Sequence, residues 1–189
     1  MNQRAVHIDR FTDEVLPHLD SAYNLARWLT RSAADADDIV QEAYLRAFRY
    51  FDGFHGANAR AWLLTIVRNT SYQWLRKNRA QQPVEEFDET LHNGPEAADP
   101  ETLMLQNADN QLVEQAIRAL PGPFREVLVL RELEGLTYKE IVDVVGVPIG
   151  TVMPRLSRAR DRFRHLVSEE LSRTPTSNAA VGDAHVGSI

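Results

Sequence analysis

Between Gln81 and Thr102 the chain carries seven acidic residues (Glu85, Glu86, Asp88, Glu89, Glu96, Asp99 and Glu101) and no basic one, with Pro83, Gly94, Pro95 and Pro100 among them. Such a stretch cannot bury a face and reads as an extended linker, so whatever folds must fold on either side of it. On both sides apolar residues recur at three- and four-residue spacing, and no stretch alternates with β-branched enrichment. The expectation is an all-α chain of two small helical domains. The boundaries read as a first domain over 1–80, an acidic linker over 81–103, a second domain over 104–171 and a disordered tail over 172–189.

In the first domain one helical stretch runs through Phe11, Val15, Leu19, Ala22, Ala26 and Leu29, with Pro17 either kinking it or opening its main part. A second helix starts near Asp35 and stops at Asp52-Gly53. The glycines of the segment 52–58 make it a loop, and a helix from about Ala59 to Arg79 follows. In the second domain a helix ends at Pro121-Gly122-Pro123, and another runs from Phe124 to Glu134 and is closed by Gly135. Thr137 to Glu140 form a capping box that opens a short helix ending at Gly146, and Pro148 opens the last helix, to about Leu171.

Composition narrows the function. At 189 residues, 43% hydrophobic and 25% charged, the chain is an ordinary globular one. No apolar run approaches the length of a spanning helix and the N-terminus lacks a signal-peptide core, which points to the cytoplasm and to no membrane insertion. There is no cysteine, and His7, His18, His55, His92, His165 and His185 are too scattered for a metal pair. No phosphate-binding loop, dinucleotide fingerprint or hydrolase elbow occurs, so neither an enzyme nor a cofactor or metal is expected.

A net charge of −6 argues against nucleic acid only as a sum. From Gly53 to Val84 there are five basic residues and no acid, and from Pro148 to His165 five arginines stand against Asp161 alone. The short helix, the turn at Val145-Gly146-Val147 and the arginine-rich helix have the spacing of a helix-turn-helix. On a wheel of the last helix, Val152, Leu156, Ala159, Phe163 and Leu166 form one face. Thr151, Pro154, Ser157, Arg158, Asp161 and His165 form the opposite one, with Arg155 and Arg162 at its border, where they reach phosphates. A helical hairpin with a solvated arginine face is the plainer alternative.

The helix from Ala59 to Arg79 has a basic and aromatic face of Trp62, Arg68, Asn69, Tyr72, Arg76 and Arg79, suited to single-stranded DNA through phosphate contacts and base stacking. The alternative is an amphipathic helix with Trp62 in the core. The second helix carries an acidic edge of Asp35, Asp38, Gln41 and Glu42. That edge suits a basic partner, or else merely sits favourably near a helix N-terminus.

At this point the residues resemble a family. The run from Ala36 to Tyr44 with Arg46-Ala47-Phe48, the run from Arg60 to Asn69, and in the second domain Leu120-Pro121, Arg125-Glu126-Val127, Leu136 to Ile141, Gly150-Thr151-Val152 and Arg155 to Arg160 resemble an extracytoplasmic-function sigma factor. The resemblance covers about residues 10–170. It implies an alternative bacterial sigma factor that binds core RNA polymerase and directs promoter-specific initiation, generally with an anti-sigma partner. It implies that Asp35, Asp38, Gln41 and Glu42 bind core polymerase. The loop 52–58, with Phe54, His55 and Asn58, then captures a base of the minus-ten element, and Arg60, Trp62, Arg68, Asn69, Tyr72 and Arg76 support the melted strand. Thr151, Met153, Pro154, Arg155, Ser157, Arg158 and Arg162 contact the minus-thirty-five element. Gln73, Pro154 and Val142 depart from the family's usual aspartate, serine and alanine. A ligand-responsive helix-turn-helix repressor and a helical adaptor without DNA binding are the rival readings. A repressor binds a duplex site alone, usually as a dimer, and an adaptor shows no salt-dependent DNA affinity.

Overall fold

The computed structural model describes residues 3–79 and 106–173. The acidic linker 81–103 and residues 174–189 of the expected tail lie outside the described residues, as does the side chain of Arg79. Among the described residues all regular structure is helical.

The first domain contains α1 (Gln3–Glu14), α2 (Leu19–Thr30), α3 (Ala33–Tyr50) and α4 (Ala59–Arg79). Pro17 separates α1 from α2: lacking an N–H it cannot continue the α1 ladder, and Leu16–His18 form a single 3-10 turn instead. Helix α2 ends where Arg31 takes φ 64°, its N–H donating to the Arg27 carbonyl at 2.8 Å. Ser32 caps α3, its Oγ accepting from the Asp35 N–H, so the helix starts two residues before the sequence suggests. Asn58 caps α4 in the same way, Oδ1 accepting from the Ala61 N–H at 2.9 Å. Helices α2, α3 and α4 pack on one another around Leu25, Ile39, Leu63, Leu64 and Val67. Phe51, in the 3-10 turn after α3, is fully buried against Phe11 and Phe54.

The second domain contains α5 (Gln106–Ala119), α6 (Gly122–Leu128), α7 (Tyr138–Val145) and α8 (Ile149–Arg173). The expected helix over Phe124–Glu134 is in fact α6, begun two residues earlier, followed by a π-turn over Val129–Leu133 in which the Glu134 N–H reaches the Val129 carbonyl at 3.0 Å. The wider turn carries one extra residue, which sequence periodicity alone does not register. The capping box on α7 is complete, and Gly146 closes the helix at φ 69°, the left-handed conformation glycine adopts without strain. Helix α8 opens directly after Pro148, whose carbonyl accepts from the Thr151 and Val152 N–H groups, and it extends two residues beyond Leu171.

The two domains are in contact. Helix α4 lies against α7 and α2 lies against α6.

Candidate nucleic-acid interface

The two faces of α8 divide as the wheel requires. Val152, Leu156 and Ala159 are buried and Phe163 and Leu166 pack on the core, whereas Thr151, Met153, Pro154, Ser157, Arg158, Asp161, Arg162 and His165 are exposed. The arginines sort by face. Arg160 donates twice to Glu132 of the π-turn, at 2.9 and 2.6 Å, and Arg164 pairs with Asp161 at 2.7 Å. Arg158 and Arg162 make no ion pair among the described residues, and Arg155 lies half-buried at the border, close enough to act on Glu126. Arg158 and Arg162 are thus free of ion pairs among the described residues and available to phosphates, whereas Arg160 is held by Glu132 on the far side and Arg164 by Asp161 at the surface.

The face of α4 is arranged differently. Two open cavities line it. One, of about 510 Å³, collects Phe54, Asn58 and Arg60, and is walled on the far side by Glu14 and His18, which sequence reasoning missed. Burial, helped by Arg60, keeps the pKa of His18 below its ordinary value. The other, of about 420 Å³, collects Arg68, Asn69, Tyr72 and Arg76 together with Gln73. Seven of the nine residues expected to meet the minus-ten strand thus border two neighbouring hollows along one helix. Of the other two, His55 is exposed, while Trp62 is packed with its ring centroid 4.8 Å from that of Phe54.

Three of these residues already have partners across the domain boundary. Asn58 Nδ2 donates to Glu140, Arg60 Nη2 to Glu134 at 2.6 Å, and Arg68 Nε to Glu126 at 2.5 Å. Glu126 and Glu134 are buried, at 1% and 7% exposure. Burial pushes the Glu126 carboxyl above its ordinary pKa, and the Arg68 guanidinium opposes that shift. Tyr72, under the Arg68 guanidinium, is raised to about 12 by burial and then by Glu126. Further along the boundary Arg27 donates to Glu114 at 2.6 Å, and Arg125 donates to the Trp28 carbonyl at 3.0 Å. No spacing rule pairs a residue of the first domain with a carboxylate of the second, so these partnerships of Glu126, Glu134 and Glu140 could not be found from sequence.

The expectation of exposed rings on α4 needs correction. Phe54 is buried, and Trp62 and Tyr72 are half-buried, the first in the Phe51–Phe54 cluster and the second beneath Arg68. In this arrangement none offers a free stacking surface. Trp62 is half-buried and packs on the core, because the loop over 54–58 folds its aromatic ring back onto α4.

On α3, Asp38 and Gln41 are exposed, Asp35 is half-buried, and Glu42 accepts from Arg46 at 2.7 Å. Arg46 also donates to Gln73 on α4 at 2.6 Å, so a neutral amide fills the position where the family usually has an aspartate. Leu45 and Phe48 stand exposed on the same helix face, at 56% and 40%. They add an apolar strip to the acidic edge that the sequence had identified. Among the described residues no group of three or more metal-ligating side chains converges, and no helix is long and apolar enough to cross a membrane.

Comparison with known proteins matches the two halves separately. The family described as Sigma-70 region 2 matches residues 15–81, and that described as Sigma-70, region 4 matches residues 110–163. An ECF RNA polymerase sigma-E factor of Escherichia coli K12 is 36% identical over 149 residues, 75% of this chain and 78% of that protein. The ECF RNA polymerase sigma factor SigE of Mycolicibacterium smegmatis is 31% identical over 166 residues, 86% of this chain and 63% of that protein. Among solved structures, the sigma factor RpoE of Bartonella quintana, in complex with the anti-sigma factor NepR, aligns with TM-score 0.65 and 30% identity. The alignment covers 84% of this chain and 96% of that one. CnrH, in complex with the cytosolic domain of CnrY, aligns with TM-score 0.62 and 25% identity over 89% and 91% of the two chains.

Proposed function

Because the chain belongs to the extracytoplasmic-function class of bacterial sigma factors, which bind core RNA polymerase and direct promoter-specific initiation, we propose how its residues divide that work. The α3 face of Asp35, Asp38, Gln41 and Glu42, extended by Leu45 and Phe48, docks on core polymerase. The two hollows along α4 take the melted minus-ten strand, with Arg60, Arg68 and Arg76 as phosphate contacts. Helix α8 enters the major groove of the minus-thirty-five duplex through Thr151, Met153, Pro154, Ser157 and Arg158, with Arg155 and Arg162 on flanking phosphates. The protein supplies promoter choice in the cytoplasm and leaves catalysis to the polymerase.

The observation that supports this division is the state of the α8 arginines: among the described residues Arg158 and Arg162 make no ion pair beside the exposed face, while Arg160 is held by Glu132 away from it. Simultaneous use of both elements requires the domains to part. Two sites some 25 base pairs apart are separated by roughly 85 Å of duplex. The stretch 81–103, fully extended, spans at most about 80 Å, which with the width of the domains is sufficient. On parting, Arg60 and Arg68 exchange the carboxylates of Glu134 and Glu126 for DNA phosphates. Since RpoE is solved with the anti-sigma factor NepR, we also propose an anti-sigma partner for this chain.

Run-off transcription with purified core polymerase on genomic fragments tests the reading. Discrete transcripts that depend on the added protein are expected. Tight, dimeric binding to a duplex site in the absence of polymerase, without promoted transcription, would overturn it.

A further inference from the structure

The ion pairs that join the domains come in a matched order. Arg60 and Arg68 lie at two levels of α4, and their partners Glu134 and Glu126 follow in the reverse order, at the end of the π-turn and on α6. Two carboxylates thus meet two arginines in series, as the backbone of a nucleic-acid strand would. Both carboxylates are buried, so these are not solvated surface pairs. Asn58, which borders the same hollow as Arg60, is engaged in turn by Glu140 of α7. The other two functional surfaces are open in the same arrangement. Asp38, Gln41, Leu45 and Phe48 are exposed on α3, and Arg158 and Arg162 on α8. Glu126 also feels a second cation, Arg155 of its own domain. Withdrawing Arg68 therefore does not leave that carboxylate without a positive charge nearby, which lowers the cost of opening the contact.

We propose that Glu126 and Glu134 occupy the place of the minus-ten strand on α4 in the free chain, so that the protein masks its own strand-binding face until assembly with core polymerase parts the domains. Docking through α3 needs no rearrangement, because that face is exposed while the domains are together. Strand binding does need one, because its arginines are already neutralised by carboxylates. The order is therefore core polymerase first and melted strand last, and the free chain ignores single-stranded DNA that the holoenzyme takes. The proposal rests on α4 being the face that takes the strand, as argued above.

The test uses the full chain, alone and assembled with core polymerase. The probe is a fluorescent single strand carrying the nontemplate minus-ten segment of a promoter found by run-off transcription. Glu126→Gln with Glu134→Gln removes both charges and keeps the side-chain shape. Without polymerase the double variant should bind the strand about tenfold tighter than wild type, the factor regained when a chain closed about nine-tenths of the time is opened. Its affinity should also fall more steeply with salt, since two more arginines are free to pair with phosphates, which adds about 1.4 to the logarithmic slope. In holoenzyme the two proteins should bind the strand alike. Glu134→Gln alone should give a smaller gain in the same direction, and it carries the test if the double variant does not fold. Equal strand affinity of wild type and variants without polymerase overturns the proposal. So does an equal gain from Asp9→Asn with Asp13→Asn, two exposed acids of α1, which would reduce the effect to net charge. Arg60→Ala with Arg68→Ala separates this from failure of the underlying reading. If that pair of changes leaves strand binding by the holoenzyme unaltered, α4 does not take the strand.

Discussion

Arg68 on α4 and Glu126 on α6, 58 positions apart, form an ion pair across the domain boundary with the carboxylate only 1% exposed. A charge so deeply placed is tolerated because its partner is there. Loss of one member of such a pair costs about 3–5 kcal/mol, far more than the net worth of the pair. Glu126→Gln keeps the shape and an acceptor for Arg68 while removing the charge. Combined with Glu134→Gln it should loosen the boundary and leave each domain folded. The radius of gyration from small-angle scattering should rise and helicity should not change. An unaltered radius would mean that the remaining contacts between the domains, α4 with α7 and α2 with α6, hold them together unaided.

Charge reversal on the α3 face provides a separate check. Asp38→Lys with Glu42→Lys should weaken the complex with core polymerase at least tenfold while the circular dichroism spectrum stays the same. Glu42 also holds Arg46, so Asp38→Lys alone is the cleaner probe of a direct contact. Wild-type affinity in the double variant would reduce the edge to a solvated surface.

Pro154 is the sixth residue of α8, past the first turn where proline is tolerated, and it leaves the Gly150 carbonyl without its helical donor. Pro154→Ser should stabilise the second domain by up to about 3 kcal/mol and raise its melting temperature. Since the position is exposed among the reading residues, the preferred minus-thirty-five sequence should shift as well. No gain in stability together with the same promoters would place the residue outside both roles.

Acid should act on the capping box of α7. Hydrogen bonds from the Thr137 N–H and hydroxyl hold the Glu140 carboxyl below its ordinary pKa, against a smaller opposing effect of burial. A depressed folded-state pKa gives stability that is present above the unfolded value and is lost as pH falls through the folded one. Glu140→Gln should therefore lower thermal stability at pH 7, by about 1 kcal/mol, and the difference from wild type should vanish in strong acid. A pH-independent difference would assign the effect to the contact with Asn58.

What the sequence revealed was what local rules govern. The bounds of α4, the Thr137–Glu140 cap, the Gly146 turn and the two faces of α8 all follow from spacing within one helix, and spacing is written in the chain. The docking of the domains was not legible, because Arg60–Glu134 and Arg68–Glu126 join residues 74 and 58 positions apart and leave no periodic trace. For the same reason Tyr72 looked like a free ring. Its wheel position is right, but Arg68, held by Glu126 of the other domain, lies over the ring. The packing of Trp62 was hidden for another reason: its position on α4 said nothing of the loop that folds Phe54 onto it.

The π-turn at Val129–Leu133 makes the domain boundary a matter of angular phase. One residue beyond the α-helical count rotates everything downstream by about 100°. Glu132 reaches Arg160 of its own domain, while Glu134, two positions later, reaches Arg60 across the boundary. Deleting a single residue from the turn would restore the regular helical count and swing both carboxylates off their arginines without altering any charge. The grip of one domain on the other is thus set by a rotation of the backbone as much as by the carboxylates it carries, as the pitch of a screw decides where its slot comes to rest.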